Sequence, residues 1–311
     1  MKKILFPSLS VLLIALVLFG TSWALRGVAQ ANAQKEHIRL LKTVLPGSET
    51  FTLELGGTML YSARSPRFKT AEGVAEAVET CKKHGIEGIV VIGGDGSFRG
   101  ARDLSLAGIP CVGVPATIDN DISSTEYTIG FDTAMNTVIQ MVDRLRDTCD
   151  SHERCSVVEV MGRHAGHLAL RTAIGVGALA VLVPERENDI NAVIEKIKET
   201  QRMGKKHFIV MVAEGVGGVT EMAKQIEAET GIETRATILG HVQRGGSPTL
   251  RDRLIATQMG FAAVELLKEG IGNRVVAYKL GHVVNYDIYE ALNMTKGLED
   301  NLCTLADITA S

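Results

Sequence analysis

From residue 71 onward, short apolar runs alternate with helical stripes along this 311-residue chain. The runs at 88–92, 109–114, 156–160, 178–183, 207–212 and 275–278 are continuously apolar and brief, which predicts buried strands of parallel sheets. Between them, residues 71–84 have helical spacing and stop at Gly85, a normal C-terminal cap. Phe131, Ala134, Met135, Val138, Ile139, Val142 and Leu145 recur at steps of three and four, giving one apolar helix face that reads as packing surface. Further helices are predicted over 191–203, 219–229 and 251–269. Strands alternating with helices predict an α/β chain of parallel sheets flanked by helices. No internal repeat or low-complexity tract interrupts the pattern.

Composition narrows the class. With 45% hydrophobic and 22% charged residues, the chain can bury a sizeable core, and its length suits two domains. A net charge of −3 provides no basic face and argues against nucleic acid as a partner. Cys81, Cys111, Cys149, Cys155 and Cys303 lack metal-site spacing and read as reduced, mostly buried thiols of a cytoplasmic protein. The N-terminus points elsewhere. Met1-Lys2-Lys3 precedes a nearly uncharged stretch from Ile4 to Ala24 that ends in Ser22-Trp23-Ala24. A basic start, an apolar middle and a small-x-small end match a secretory signal peptide, and the stretch is also long enough for a short membrane helix. Membrane anchoring or export is therefore the alternative to a cytoplasmic location, and membrane contact depends on residues 4–24 being a true anchor.

Two turns carry candidate chemistry. Ile92-Gly93-Gly94-Asp95-Gly96-Ser97 follows the strand at 88–92. A glycine turn that feeds a helix closes backbone N–H groups on a phosphate, and the helix N-terminus adds partial positive charge. Asp95 in that turn suits Mg²⁺, which binds through few carboxylates plus substrate phosphates. Pro115-Ala116-Thr117-Ile118-Asp119-Asn120-Asp121 follows the strand at 109–114 and sets two carboxylates two residues apart. In phosphoryl transfer one carboxylate accepts a hydroxyl proton while a metal neutralises phosphate charge. Each run taken alone also reads as an ordinary strand-ending turn, since Gly, Pro, Asn and Asp dominate turns.

These residues belong to a longer series. Residues 56–311 resemble the bacterial ATP-dependent 6-phosphofructokinases (the phosphofructokinase A family). The resemblance is carried by Gly56-Gly57-Thr58-Met59-Leu60-Tyr61-Ser62-Ala63-Arg64, the two turns above, Thr128-Ile129-Gly130-Phe131-Asp132-Thr133-Ala134, Val160-Met161-Gly162-Arg163 and the run from Arg235 through His241 and Arg244 to Gly246. It implies the phosphofructokinase fold, two Rossmann-like lobes with substrate between them. The nucleotide lobe would cover 56–129 and 242–292, and the sugar-phosphate lobe 130–241 and 293–311. The implied reaction is phosphorylation of fructose 6-phosphate to fructose 1,6-bisphosphate by ATP with Mg²⁺, a phosphotransferase step of glycolysis.

The resemblance also implies roles. Asp119 would be the general base, Thr117 would hold the transferring phosphoryl group, and Arg163 would stabilise charge in the transition state. Arg64, Gly94, Asp95, Gly96 and Ser97 would bind the nucleotide, with Asp95 also on the metal. Asp121 reads equally as support for Asp119 or the metal and as a helix cap or Asx-turn. The sugar phosphate would meet Thr117, Ile118, Asp119, Met161, Gly162, Arg163, Glu214, His241, Val242, Gln243 and Arg244, with His241 and Arg244 on the 6-phosphate. Arg154 and Arg235 would reach the site from a neighbouring subunit, which implies a homotetramer with shared active sites. Pyrophosphate-dependent relatives carry Asp where this chain has Gly96 and Lys where it has Ala116, so ATP is the expected donor.

Residues 1–24 and the atypical segment 25–55 depart from the family. Its first strand and first phosphate loop, of the Gly-Gly-Asp-x-x-Gly type, are replaced here, and Leu25-Arg26-Gly27-Val28 is only an echo of its first helix. The start is then a replacement, a fusion, a truncation or a shifted start, with turnover impaired. The competing reading is a non-catalytic phosphosugar-binding or regulatory subunit, which an assay of ADP release separates.

Overall fold

A computed structural model describes residues 65–309. The readings made for residues 1–64, Arg64 among them, lie outside the described residues. In chain order the elements are α1 (Ala71–Lys83), β1 (Ile89–Gly93), α2 (Asp95–Leu106), β2 (Cys111–Pro115), α3 (Phe131–His152) and β3 (Cys155–Val160). They continue as α4 (His167–Val176), β4 (Ala180–Leu182), α5 (Ile190–Arg202), β5 (Phe208–Ala213), α6 (Val219–Thr230) and β6 (Thr234–Ile238). A 3₁₀ turn (Gly240–Arg244), α7 (Leu250–Lys268), β7 (Arg274–Lys279), β8 (His282–Asp287), α8 (Ile288–Asn293) and α9 (Asp300–Thr309) follow.

The first compact unit comprises residues 65–114 and Arg253–Glu290. Thr70 caps α1 by accepting from the Gly73 N–H at 3.1 Å. Helix α2 follows Gly94 as its N-cap and buries Phe98, Ala101 and Leu104, one face at three-residue steps. Gly113 on β2 makes room for that face: a Cβ there would lie 2.7 Å from the Phe98 ring. The sheet runs β1-β2-β7-β8. Strand β1 reads as buried from its apolar run, yet all five residues are half-buried, since β1 is the edge of this sheet among the described residues. Strands β2 and β7 are parallel, but β7 and β8 are antiparallel, so this sheet is mixed. The two-residue turn Leu280-Gly281 causes the reversal, with φ of 50° and 84°, the left-handed pair that a tight hairpin needs.

The second unit comprises Pro115–Asp252 and residues 291–309. Its sheet runs β4-β5-β3-β6, all parallel. Phe208, Val210, Val212, Val157, Ile194, Ile197 and Ile226 form the core between this sheet and helices α5 and α6. In register, Val160 of β3 lies beside Ala213 of β5, and Glu159 beside Ile238 of β6. The loops after these three strands therefore leave the sheet at one level, the carboxyl end, where open α/β sheets hold ligands.

Helices α4 and α9 and strand β6 of this unit escaped the hydrophobic pattern, and for two of them the cause is plain. Helix α4 buries seven of its ten residues, so it has no polar face to set up a period. Strand β6 is an edge strand with Arg235, Ala236 and Ile238 exposed, so it lacks an apolar run. The unit boundaries also differ from the expected 129/130 and 241/242. The chain divides at 114/115 and 252/253, because residues 115–129 and 242–252 are bonded to each other and to α3, as described next. All five cysteines are free thiols, and four are buried.

Candidate functional site

The segment between β2 and α3 is a loop pinned along its length. Ala116 and Ile129 form a parallel bridge, and the Ile129 N–H donates to the Pro115 carbonyl at 3.0 Å. The Thr128 hydroxyl donates to the Thr117 carbonyl at 2.6 Å and to Asn120 Oδ1 at 3.3 Å. Asn120 Nδ2 donates to the Glu126 carbonyl at 3.2 Å. Asn120 is 1% exposed and takes a left-handed backbone, φ 51°, a conformation that Asn tolerates better than most residues. It separates Asp119 from Asp121, so the strained residue sets the direction of both carboxylates.

Asp119 is half-buried. Burial raises its carboxyl above the ordinary carboxylate value, and the charges of Asp121 and Glu214 push the same way; Arg244 and a hydrogen bond with Thr117 oppose them. Glu214 follows β5 and accepts from the backbone N–H of Arg163. The Arg163 turn is tight. Its φ is 59°, that of Gly162 is 144°, a Cβ on Gly162 would lie 2.4 Å from the Ala165 carbonyl, and one on Gly215 would lie 2.7 Å from the Arg163 carbonyl. Met161 is buried, and its N–H donates to Gln243 Oε1 at 3.1 Å. Gln243 is 1% exposed and also donates to the Gly240 carbonyl at 3.0 Å, fixing a 3₁₀ turn that presents His241, Val242 and Arg244 at the surface. Thr117, Ile118, Asp119, Met161, Gly162, Arg163, Glu214 and the turn 241–244 thus all follow carboxyl ends of strands. Of these, the charges of Glu214 and Arg244 both act on the Asp119 carboxyl.

Arg154 and Arg235 are placed elsewhere. Arg154 precedes β3 and Arg235 lies near the start of β6, so both occupy the amino end of the same parallel sheet. They converge on Glu233: Arg154 Nε donates to it at 2.7 Å and Arg235 Nη2 at 2.6 Å. These hydrogen bonds hold the Glu233 carboxyl below its ordinary value. Six residues of β3 separate Arg154 from Met161, about 20 Å of strand.

In the first unit, the loop Gly93–Ser97 joins β1 to α2. Gly93 is required there, since a Cβ would lie 2.4 Å from Ser97 Oγ, whereas a Cβ on Gly96 meets nothing within 4 Å. No side chain caps α2 at Gly94, and an uncapped helix start offers N–H donors to an anion. Asp95 is half-exposed in the first turn and accepts from Arg99 Nε at 2.9 Å. A lone carboxylate beside uncapped helix-start amides fits a Mg²⁺ held chiefly by substrate oxygens, and an exposed ion pair with Arg99 is weak enough to yield. Among the described residues, no group of three or more His, Cys, Asp and Glu side chains gathers as a metal site. No helix among them is long and apolar enough to cross a membrane.

Three site-building residues were not singled out in the sequence. Glu159, near the end of β3, is raised by burial and by Glu214; a charge inside the run Cys155–Val160 was the available signal. Asp252 and Lys296 grip the Asp119 loop from distant parts of the chain, and nothing local marks either.

The sequence model of the family described as Phosphofructokinase matches residues 19–267. The match begins ahead of Gly56 and takes in Leu25–Val28, so the family pattern extends further toward the N-terminus than the motifs alone indicate. The chain belongs to the phosphofructokinase family. It is 52% identical over 260 residues to the ATP-dependent 6-phosphofructokinase of Bacillus pumilus (strain SAFR-032), covering 84% of this chain and 82% of that protein. Its fold is similar to phosphofructokinase from Saccharomyces cerevisiae, at TM-score 0.72 and 32% identity, over 82% of this chain and 39% of that one. It also matches a pyrophosphate-dependent phosphofructokinase from Marinobacter aquaeolei, at TM-score 0.69 over 82% of this chain and 74% of that one; at 21% identity this likeness concerns the fold alone.

Proposed function

We infer that this chain is an enzyme that phosphorylates fructose 6-phosphate to fructose 1,6-bisphosphate with ATP, a step of glycolysis. The relative of 52% identity, matched over most of both chains, is an ATP-dependent 6-phosphofructokinase, and nothing favours a non-catalytic subunit.

In the reaction, the C1 hydroxyl oxygen of the sugar attacks the γ-phosphorus, the bond to the bridging oxygen of ADP breaks, and the hydroxyl proton passes to Asp119. Asp119 suits this role because its raised pKa makes the carboxylate a better base than an ordinary aspartate. Thr117, one turn of loop away, would steady the phosphoryl group, and Arg163 would neutralise charge that develops on it. His241 and Arg244 would clamp the 6-phosphate, Arg through its forked donors. Glu214 would accept from the sugar hydroxyls. The Gly93–Ser97 loop would cradle the nucleotide phosphates. Asp95 would hold Mg²⁺, which supplies charge neutralisation at those phosphates.

Arg154 and Arg235 would serve the site of a neighbouring subunit in a homotetramer. Their place at the amino end of the sheet supports this reading, because it faces away from the site of their own chain. The deciding experiment measures ADP release with fructose 6-phosphate and ATP in the full chain and in Asp119→Ala. The parent should turn over, and the variant should lose about 10²–10⁴-fold in kcat. A variant that keeps a tenth of parental kcat would remove Asp119 from the role of base.

A further inference from the structure

The peptide that aims Asp119 is held by a residue from the far C-terminal part of the chain. Lys296 Nζ donates to the Asn120 carbonyl at 2.7 Å and to the Thr125 carbonyl at 2.9 Å. The first of these is the carbonyl of the left-handed residue itself. A non-glycine residue in that conformation persists only where its surroundings hold it. The second carbonyl lies five residues on, so one ammonium group ties the two sides of the loop together.

The segment that carries Lys296 is anchored around it. Glu299 pairs with Arg171 of α4, and Asp307 pairs with Arg186 at 2.9 Å. The charges that face the ammonium are mixed. Asp121 and Glu126 on the loop and Glu299 on its own segment favour the charged form, while Arg171 and His167 of α4 share its surroundings as further basic groups. Burial and Arg171 bring the Lys296 pKa down to about 8. A lysine kept half-buried beside another cation, at a cost in charge solvation, is held there by what it grips.

We propose that Lys296 is a positioning residue for phosphoryl transfer: by fixing the carbonyls of Asn120 and Thr125 it sets the aim of the Asp119 carboxylate. It touches no reacting atom, and the inference rests on Asp119 acting as the base. Misplacing a reacting group by an ångström can cost about 100-fold in rate, so Lys296→Met should lower kcat about 10- to 100-fold. The KM values of ATP and fructose 6-phosphate should stay within about threefold, since the residues proposed to bind them are untouched. Lys296→Gln, which keeps N–H donors without the charge, should fall between parent and Met.

The test is a double-mutant cycle in the full chain with Asp119→Asn. If Lys296 acts through Asp119, the loss caused by Lys296→Met should shrink to about twofold or less once Asp119 is gone. A loss below about fivefold in the parental background, or an equal loss in both backgrounds, would overturn the proposal, the latter marking a merely structural role. Should Lys296→Met fail to fold, Lys296→Gln carries the same cycle. If Asp119→Asn alone retains parental turnover, the base assignment fails. If Asp119→Asn is inactive while Lys296→Met is not impaired, only the present inference fails.

Discussion

Tyr127 donates its phenolic proton at 2.6 Å to Asp252, a carboxylate 125 residues further along the chain. Asp252 is 2% exposed and also accepts from the N–H groups of Gly130 and Thr133, each at 2.8 Å, and from the Thr133 hydroxyl. It therefore closes the Asp119 loop and caps α3, whose own Gly130 offers no side-chain cap. Arg251 stacks on the Tyr127 ring at 4.9 Å.

Tyr127→Phe should destabilise the protein by about 1.5–3 kcal/mol, the worth of a hydrogen bond to a charged group. Asp252→Ala should cost more, because it strands several buried donors at once. Urea unfolding midpoints measure both. Equal stability of Tyr127→Phe and parent would mean that the bond at 2.6 Å is replaced by water without loss.

Arg244→Ala should act on affinity and on pH dependence together. Loss of the charge-assisted bond proposed to the 6-phosphate should weaken fructose 6-phosphate about 10- to 100-fold and leave ATP nearly unchanged. The sign of the pH effect follows from Asp119. That carboxyl is already raised, and Arg244 is a charge that lowers it. Removing the cation raises it further, so the ionised base is lost at a higher pH as the solution is acidified. The acid limb of the kcat profile should move upward; a downward or absent shift would show that Arg244 does not act on Asp119.

Gly96→Asp tests the phosphoryl donor. The new side chain meets open space, and an acidic residue in the first turn of α2 is favourable to the helix. Thermal stability should therefore hold or rise. Like charge set against nucleotide phosphates is costly, so the KM for ATP should rise about tenfold or more. Unchanged ATP kinetics would place the nucleotide phosphates away from this turn.

His167 makes a prediction about acid stability. It is 5% exposed, and burial, with Lys296 and Arg171 nearby, lowers its pKa from 6.5 to about 4. Between those values the unfolded chain binds a proton that the folded chain refuses. Stability from this group is complete above pH 6.5 and drains away as pH falls toward 4. The stability of His167→Gln should fall less steeply across that window, by up to about 1.4 kcal/mol per pH unit. Parallel slopes for the two proteins would rule His167 out as the acid-labile group.

What the sequence determined by itself is what short stretches of chain can encode. Apolar runs located β1, β2, β3, β4, β5 and β7, stripes located α1, α3, α5, α6 and α7, and the ordered motifs named the family and the candidate chemistry of Asp95, Asp119, Arg163 and Arg244. Local signals failed where burial or exposure was uniform, as for α4 with no polar face and for edge strand β6 with no apolar one. Only the tertiary structure decided how Asp119 is aimed. Asn120 takes a left-handed backbone because Lys296, Thr128 and Glu126 hold it there, and Asp252 closes the loop from the start of α7. A single charged residue in a polar stretch is indistinguishable in sequence from a solvated one; it becomes a clamp only when the fold withdraws it from water and brings distant backbone groups to it. The same reason separates Arg154 and Arg235 from the other arginines. Their motifs named them as substrate contacts, but it was the parallel register of β3 and β6 that put them on Glu233, at the end of the sheet opposite to Glu214.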